Sequence, residues 1–256
     1  MILAIDVGNT NIVMGGCEDD GRISFKARLS TDHGKTFEQY AVEIKNILEL
    51  YGVMQETVSG SIISCVVPPL TNVMKNAVEL VTGIMPLIVG PGVRTGLNIM
   101  IDNPGQLGSD LVVGAVAALA SYDVPMVIYD LGTATTASVI DRNRTFLGGT
   151  IFPGINVSLS ALTSSTSQLP RISMEKPERV IGKNSVDSMT SGIVYGNASM
   201  IDGMTERIEE ELGEHVNVIA TGGLAELITP FCRTRVYLDP DLMLKGLYLI
   251  FVRNRK

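Results

Sequence analysis

The length, composition and charge of this chain already exclude several classes of protein. Its 256 residues suffice for two domains of about 125 residues each. With 45% hydrophobic and only 18% charged residues, the chain can build a sizeable core, which excludes a disordered or fibrous protein. A formal charge of −7 without any block of Lys and Arg argues against a nucleic-acid surface, which needs clustered cations.

The first residues and the cysteines favour a cytoplasmic protein without membrane contact. The apolar run at 2–5 is short, has no preceding positive region and meets Asp6 at once, unlike a signal peptide. No segment reaches the roughly 20 apolar residues of a membrane span. Cys17, Cys65 and Cys232 are widely spaced, without a CxxC pair, so we expect ordinary packed side chains.

The first motif is a carboxylate and a glycine at the end of an apolar strand. After residues 2–5 comes Asp6-Val7-Gly8-Asn9-Thr10-Asn11, where Gly8 allows a tight turn and close backbone approach. The same order returns where 126–129 runs into Asp130-Leu131-Gly132-Thr133-Ala134-Thr135. Carboxylate, hydroxyl, amide and backbone N–H groups together suit phosphate oxygens and a hydrated cation. Two copies of this turn favour two related domains.

Hydrophobic periodicity predicts a similar series of elements after each turn. In the first half, these are strands at 2–5, 12–14, 23–27, 61–67 and 86–89 and helices at 37–50, 68–80 and 111–121. In the second half, they are strands at 126–129, 137–140, 145–147 and 216–221 and helices at 185–212, from about 224, and at 241–252. Asp110 is positioned to cap the helix at 111–121.

Two features of the second half carry further expectations. Small residues recur along the predicted helix at 185–212 and fit packing within the chain or a dimer contact equally well. They are Ser188, Ser191, Gly192, Gly196 and Ala198. Gly222-Gly223 bends sharply into a helix beginning near Leu224, and such a turn at a helix N-terminus commonly lies against a nucleotide.

Several enzyme classes are excluded by missing motifs. The chain has no GxxxxGK[ST] and no GxGxxG after a strand, so a P-loop enzyme or a dinucleotide oxidoreductase is not expected. Its two histidines, His33 and His215, lie in polar segments and form no convincing pair with Ser or Cys, which argues against a hydrolase of the triad type.

Seven sequence blocks, in order and at compatible spacing, resemble those of the type III pantothenate kinases. They are residues 6–11, 64–69, 90–98, 130–136, 148–154, 181–185 and 220–225. A single Asp-x-Gly-x-Thr turn is weak evidence, but seven ordered blocks across essentially the whole chain are strong evidence.

The resemblance implies an α/β fold of the actin-like superfamily of acetate and sugar kinases. Two similar actin-like, or ribonuclease H-like, domains, each a mixed β-sheet with helices, would flank a nucleotide cleft, and we place them at 1–118 and 119–256. It also implies ATP-dependent phosphorylation of the pantothenate hydroxyl to 4′-phosphopantothenate, the first step of coenzyme A biosynthesis. The resemblance further implies two cations, Mg²⁺ or a similar divalent cation and K⁺ or NH₄⁺. It also implies a homodimer.

The resemblance also assigns roles to individual residues. Asp6 would lie near the divalent cation, through phosphate or water, and Asp130 would help hold the monovalent cation. Thr133 would contact phosphate, and the Gly222-Gly223 turn is a further candidate for ATP contact. The proposed ATP phosphate loop comprises Asp6, Val7, Gly8, Asn9, Thr10, Asn11, Ile12 and Val13.

On the substrate side, Asp110 occupies the general-base position of the family. An alcohol is a poor nucleophile, and a positioned carboxylate that accepts its proton contributes about 10²–10⁴-fold to the rate. Gly108 and Ser109, which precede this base, are candidate substrate-binding residues with it, and Ser185 stands where a Thr of the partner subunit reaches the substrate in the family.

Two positions depart from the family pattern. Leu111 stands where the family has the Arg expected to clamp the pantothenate carboxylate, and Ile101 replaces a Tyr of the same pocket. Losing such charge-assisted hydrogen bonds costs about 1.5–3 kcal/mol. Three alternatives therefore stay open: a pantothenate kinase with a repacked pocket, a same-fold kinase acting on another small alcohol, or a non-catalytic nucleotide-binding regulatory homologue.

Overall fold

The structure is a computed structural model that describes residues 1–255, and the chain divides into two compact units. The first unit contains Met1–Leu97, Asp102–Ala120 and the residues from Asp241 onward. The second contains Asn98–Ile101 and Ser121–Pro240. No helix within the described residues is long and apolar enough to cross a bilayer.

Strands and helices alternate along the chain. The strands are β1 (Ile2–Val7), β2 (Asn11–Cys17), β3 (Ile23–Ser30), β4 (Gly60–Cys65), β5 (Leu87–Ile88), β6 (Asn98–Ile99), β7 (Met126–Leu131), β8 (Ala134–Ile140), β9 (Thr145–Pro153), β10 (Asn217–Thr221) and β11 (Val236–Leu238). The helices are α1 (Phe37–Leu50), α2 (Pro68–Thr82), α3 (Ser109–Ser121), α4 (Ile155–Ser164), α5 (Ser185–Leu212), α6 (Ala225–Ile228) and α7 (Leu242–Asn254).

The first unit is built on a mixed sheet with the strand order β3-β2-β1-β4-β5. The hairpin strands β1, β2 and β3 are antiparallel to one another, whereas β4 pairs in parallel with β1 and β5 pairs in parallel with β4. Alternate side chains of β1 point to opposite faces. Leu3 and Ile5 are buried with residues of α1 and α2, and Ile2 and Ala4 with residues of α3 and α7. Both faces of this sheet are therefore core.

The second unit repeats this arrangement. Its strand order is β11-β10-β7-β8-β9-β6, in which β7, β8 and β9 are antiparallel and β10 and β11 continue in parallel from β7. The apolar residues of β7 and β10 pack against α5 and α6. Two similar mixed sheets with flanking helices confirm the predicted α/β fold class.

The structural units differ from the predicted boundary after residue 118 in two segments. Asn98–Ile99 pairs in parallel with β9, and the side-chain amide of Asn98 donates to Thr145 Oγ1 at 2.9 Å, so this strand belongs to the second unit. The apolar face of α7 belongs to the first unit, because Leu244, Leu247 and Ile250 are buried against β1 and β4.

Candidate active site

The first acidic turn joins β1 to β2 and is braced by the end of β3. The Gly8 N–H donates to the Asn11 carbonyl at 3.0 Å, which closes the turn. Thr31 donates its hydroxyl to the Gly8 carbonyl at 2.6 Å and its N–H to the Thr10 carbonyl at 3.0 Å. A side chain at Gly8 would stand 3.1 Å from the Asn11 carbonyl oxygen. The turn is thus rigidly supported and presents exposed Asn9, Thr10 and Asn11 side chains.

Not all eight residues of the predicted phosphate loop have a side chain that a ligand could contact. Val7 and Ile12 are fully buried and paired across the hairpin, so only their backbone could face a ligand. Asp6 and Val13 form the preceding cross-strand pair and are both half-buried on the face that is covered by α3 and α7.

The second acidic turn joins β7 to β8 and is one residue shorter. Its last paired residues are Leu131 and Thr135, and the Gly132 N–H donates to the Ala134 carbonyl at 3.2 Å. The Gly154 N–H, just after β9, donates to the carbonyl of exposed Thr133 at 3.1 Å. Each turn is therefore braced by the end of the third strand of its meander.

The surroundings of Asp130 combine a close backbone approach with a buried hydroxyl. Gly222 follows β10 with φ of +95°, and a Cβ there would lie 2.5 Å from Asp130 Oδ1 and 2.6 Å from the Leu131 nitrogen. Thr136 is the cross-strand neighbour of Asp130. Within the described part of the chain, the buried Thr136 Oγ1 has no hydrogen-bond partner. Oxygen donors of this kind suit a hard cation.

The Gly222-Gly223 turn leads into a helix close to the predicted start, but this helix is short. The helix that follows it, α6, spans only Ala225–Ile228 and continues as a short 3₁₀ turn. A single helical turn has a weak dipole, because the aligned peptide dipoles that favour phosphate at an N-terminus need a longer helix. The tight packing of Gly222 against Asp130 explains this glycine within the protein itself.

Asp110 lies in the first turn of α3 rather than before it. The Val112 N–H donates to the Gly108 carbonyl at 3.2 Å, so the N-cap position belongs to Gly108 and the prediction of an Asp110 cap is wrong. Asp110 Oδ1 accepts the Leu111 N–H at 2.8 Å. Gly108 has no side chain that would collide with this carboxylate oxygen. Burial raises the pKa of Asp110 above its ordinary value, and the backbone N–H groups of Leu111 and Asp110 offset part of the rise.

A hydrogen bond links the helix of Asp110 to the strand beside Asp6. β1 and β4 pair in parallel with Asp6 opposite Ser64, so the two residues lie side by side at the carboxyl edge of the sheet. Ser64 is fully buried, and its Oγ lies 3.0 Å from Ser109 Oγ. The structure thus brings Asp6, Ser64, Ser109 and Asp110 to one edge of the first unit. Ser64 could not be singled out from sequence, since a Ser within an apolar strand is a weak signal.

The two residues that depart from the family pattern, Leu111 and Ile101, are both half-buried. Leu111 lies in α3 of the first unit, directly after Asp110. Ile101 lies in the second unit, where its Cγ2 packs 3.8 Å from the position that a Cβ of Gly148 would take. The segment between Arg94 and Arg142 contains neither Lys nor Arg. No cation therefore stands near Leu111 in sequence to replace the expected Arg.

Ser185 is the exposed first residue of α5. Asn184 caps this helix by accepting the Asp187 N–H at 2.9 Å. Ser185 lines an open groove together with Leu162, Met189 and Gly192.

The small residues of α5 divide between two environments. Ser191 is buried and donates its hydroxyl to the Val180 carbonyl, and Ala198 is buried in the core. Ser188, Gly192 and Gly196 are exposed, so packing within the chain accounts for only some of the small residues of α5.

No cluster of three or more His, Cys, Asp or Glu side chains that could hold a metal occurs among residues 1–255. A magnesium ion bound mainly by ATP phosphates and water needs only one or two protein carboxylates. Asp6, beside the braced turn, fits that smaller requirement.

Comparison with known proteins decides between the enzyme classes that the geometry allows. The sequence profile of the type III pantothenate kinases matches residues 2–207. This chain belongs to the type III pantothenate kinase family. A kinase family of this kind implies ATP and a divalent cation, and a small-molecule substrate.

Solved structures similar to this chain share its fold at low sequence identity. A Campylobacter jejuni protein described as a conserved Baf family transcriptional activator superimposes with a TM-score of 0.60, at 19% identity over 98% of both chains. A 2-dehydro-3-deoxygalactonokinase-like protein of Sinorhizobium meliloti gives 0.57, at 12% identity over 99% of this chain and 97% of its own. The activator of 2-hydroxyisocaproyl-CoA dehydratase from Clostridium difficile, with bound ADPNP, gives 0.52, at 12% identity over 97% and 92%.

Proposed function

We propose that this enzyme transfers the γ-phosphoryl group of ATP to the hydroxyl of pantothenate, forming 4′-phosphopantothenate. The observation that carries the proposal is the placement of Asp6 and Asp110 at one edge of the first unit, joined through Ser64 and Ser109. A carboxylate beside a phosphate-type turn and a second, half-buried carboxylate are the two groups that phosphoryl transfer to an alcohol requires.

In this proposal, Asp110 is the general base. Its Oδ1 accepts the Leu111 N–H, which fixes the orientation of the carboxylate and leaves Oδ2 to accept the proton of the acceptor hydroxyl. Burial raises the pKa of Asp110, and a carboxylate with a raised pKa is a stronger base at neutral pH. The acceptor oxygen then attacks the γ-phosphorus as the bond to the ADP oxygen breaks.

The braced turns are the proposed phosphate contacts. Gly8, Asn9, Thr10 and Asn11 offer backbone N–H groups and exposed side chains to the ATP phosphates, and Thr133 offers the corresponding group in the second unit. Asp6 would hold the divalent cation through phosphate or water. When bound, that cation neutralises charge on the phosphate oxygens.

Asp130 is the proposed ligand of K⁺ or NH₄⁺. The Thr136 hydroxyl beside it, which has no hydrogen-bond partner among residues 1–255, supports this assignment, because a buried oxygen without a hydrogen bond is costly unless a cation or water satisfies it. Gly222 would act here by allowing the backbone to approach Asp130 closely, and the Gly222-Gly223 turn stays a candidate for ATP contact.

We also propose a homodimer formed through the second unit. Exposed apolar side chains occur around α4 and the start of α5, where solvent contact is unfavourable. They are Val157, Leu162, Val180, Ile181 and Val186. Ser185 belongs to the same segment and would reach the substrate of the partner subunit. Sedimentation equilibrium tests for the dimer. The cytoplasmic location of the protein stays a prediction.

A kinase acting on another small alcohol is the second candidate. Leu111, Ile101 and the lack of Lys or Arg between Arg94 and Arg142 favour an acceptor without a carboxylate. Pantetheine, which carries the same reacting hydroxyl and an uncharged end, is the direct comparison substrate.

The deciding experiment incubates the purified protein with ATP, Mg²⁺ and K⁺ or NH₄⁺, and compares pantothenate, pantetheine and no acceptor. Mass spectrometry then scores the phosphorylated products. Phosphopantothenate formed only when pantothenate is present supports the proposal, and turnover restricted to pantetheine supports the second candidate. ATP binding without turnover on pantothenate contradicts the proposal, and ATP binding without turnover on any alcohol favours the regulatory homologue.

A further inference from the structure

A side-chain hydrogen bond between Ser109 Oγ and Ser64 Oγ, at 3.0 Å, attaches the first turn of α3 to the sheet. The rest of α3 is held differently: Val113 and Val116 pack with Ile2 and Ile62 in the core shared with α7. Apolar packing of this kind fixes the helix but is not directional. The hydroxyl pair is directional, and it lies at the end of the helix that carries Asp110.

The hydrogen bonds that the Asp110 carboxylate itself accepts do not fix its distance from the sheet. They come from the backbone N–H groups of Leu111 and of Asp110 itself, and therefore orient the carboxylate only with respect to its own helix. Ser64, in contrast, is fully buried and lies beside Asp6 through the β1 and β4 register.

We propose that Ser64 and Ser109 are positioning residues, whose hydrogen bond holds the Asp110 carboxylate at a fixed distance from the Asp6 end of β1. This inference rests on the proposed function, in which Asp6 lies beside the phosphates and Asp110 accepts the proton. A reacting oxygen must meet both groups at once, so a small displacement of the helix end lowers the rate of transfer.

The two serines are not equivalent in their effect on stability. Ser109→Ala leaves the Ser64 hydroxyl buried without a partner, which lowers stability, whereas removing both hydroxyls leaves no unsatisfied group and is expected to be nearly neutral. Both changes remove the link between α3 and β4. Stability and positioning can therefore be separated within one set of variants.

The test compares the wild type with Ser109→Ala, Ser64→Ala/Ser109→Ala and Ser109→Thr, by steady-state phosphorylation of pantothenate and by thermal unfolding. We expect kcat to fall about tenfold in both Ala variants, the rate equivalent of one hydrogen bond. The KM for ATP should not change. Thermal stability should fall in the single variant and return in the double variant, and Ser109→Thr, which keeps the hydroxyl, should restore kcat. Ser121→Ala, at the exposed end of α3, is the matched control.

Three results would overturn the inference. If kcat recovers together with stability in the double variant, the pair is merely structural. If Ser109→Ala raises the KM for pantothenate and leaves kcat unchanged, Ser109 binds substrate directly. Unchanged kcat in both Ala variants removes any role. A wild-type protein that phosphorylates no acceptor instead refutes the proposed function, and the inference with it, before any variant is compared.

Discussion

Asp110→Asn isolates the charge of the proposed base from its shape. The amide has nearly the same volume and keeps an oxygen that can accept the Leu111 N–H, which lies 2.8 Å from Oδ1 in the wild type. It cannot accept a proton from the substrate. We therefore expect kcat to fall about 10²–10⁴-fold, which corresponds to about 2.7–5.5 kcal/mol of transition-state stabilisation. ATP affinity should not change, because Asp110 lies outside the phosphate turn.

The same substitution, which lowers activity, is expected to raise stability at neutral pH. Burial raises the pKa of Asp110, so the folded protein binds this proton more tightly than the unfolded chain does. The stability from this group is full below the unfolded-state pKa and is lost as the pH rises through the folded-state pKa. At neutral pH the ionised carboxylate is therefore destabilising, and Asp110→Asn should raise Tm. This gain should shrink as the pH falls below the folded-state pKa of Asp110.

The assays are phosphopantothenate formation, ATP binding by calorimetry and thermal unfolding between pH 4 and pH 8, a window chosen around the ordinary carboxyl range of about 4. Asp102→Asn, which changes an exposed carboxylate shortly before α3, is the control and should behave as wild type. A wild-type rate in Asp110→Asn would refute the assignment of the base. A lower Tm at neutral pH would refute the argument from burial.

Three further variants test the surroundings of the base and of Asp130. Leu111→Arg should lower the KM for pantothenate about 10- to 150-fold, the equivalent of about 1.5–3 kcal/mol. Leu111→Gln is the uncharged control. Equal KM values for the Arg variant and the wild type would show that another cation already binds the carboxylate. Thr136→Val should raise the K⁺ concentration needed for half-maximal activity without lowering Tm, and an unchanged K⁺ requirement contradicts the cation assignment. Gly222→Ala places a methyl group against Asp130 at a φ of +95°, so it should lower stability by at least about 1–2 kcal/mol in denaturant unfolding; unchanged stability would mean that the turn relaxes.

Long elements with strong periodicity were predictable from sequence. The helix predicted at Phe37–Leu50 is confirmed with the same bounds, because its apolar positions follow one face and Thr36 begins it in a capping box with Gln39. The bounds of Ser185–Leu212 are also confirmed. β6 and β11 were missed, since two or three residues cannot show a period of two. α4 was missed as well, because its sequence contains several Ser and Thr residues that favour turns.

The site could be predicted only where its residues are neighbours in sequence. Both acidic turns were found because each is a local motif. The contact of Ser64 with Ser109, and its place beside Asp6, depend on the register of two parallel strands that are far apart in the chain. The position of the N-cap at Gly108 depends on which carbonyl accepts the first helical hydrogen bond, and sequence alone does not distinguish Gly108 from Asp110.

The place of α7 has a consequence for how the protein is made. Leu244, Leu247 and Ile250 cover Ile2 and Ala4 of the first strand, yet they leave the ribosome only after the whole second unit has been synthesised. Until these residues emerge, only α3 is present to cover that face of the first sheet, while Ser121–Pro240 is synthesised as one continuous stretch. During translation, the half that begins first is the half that is completed last.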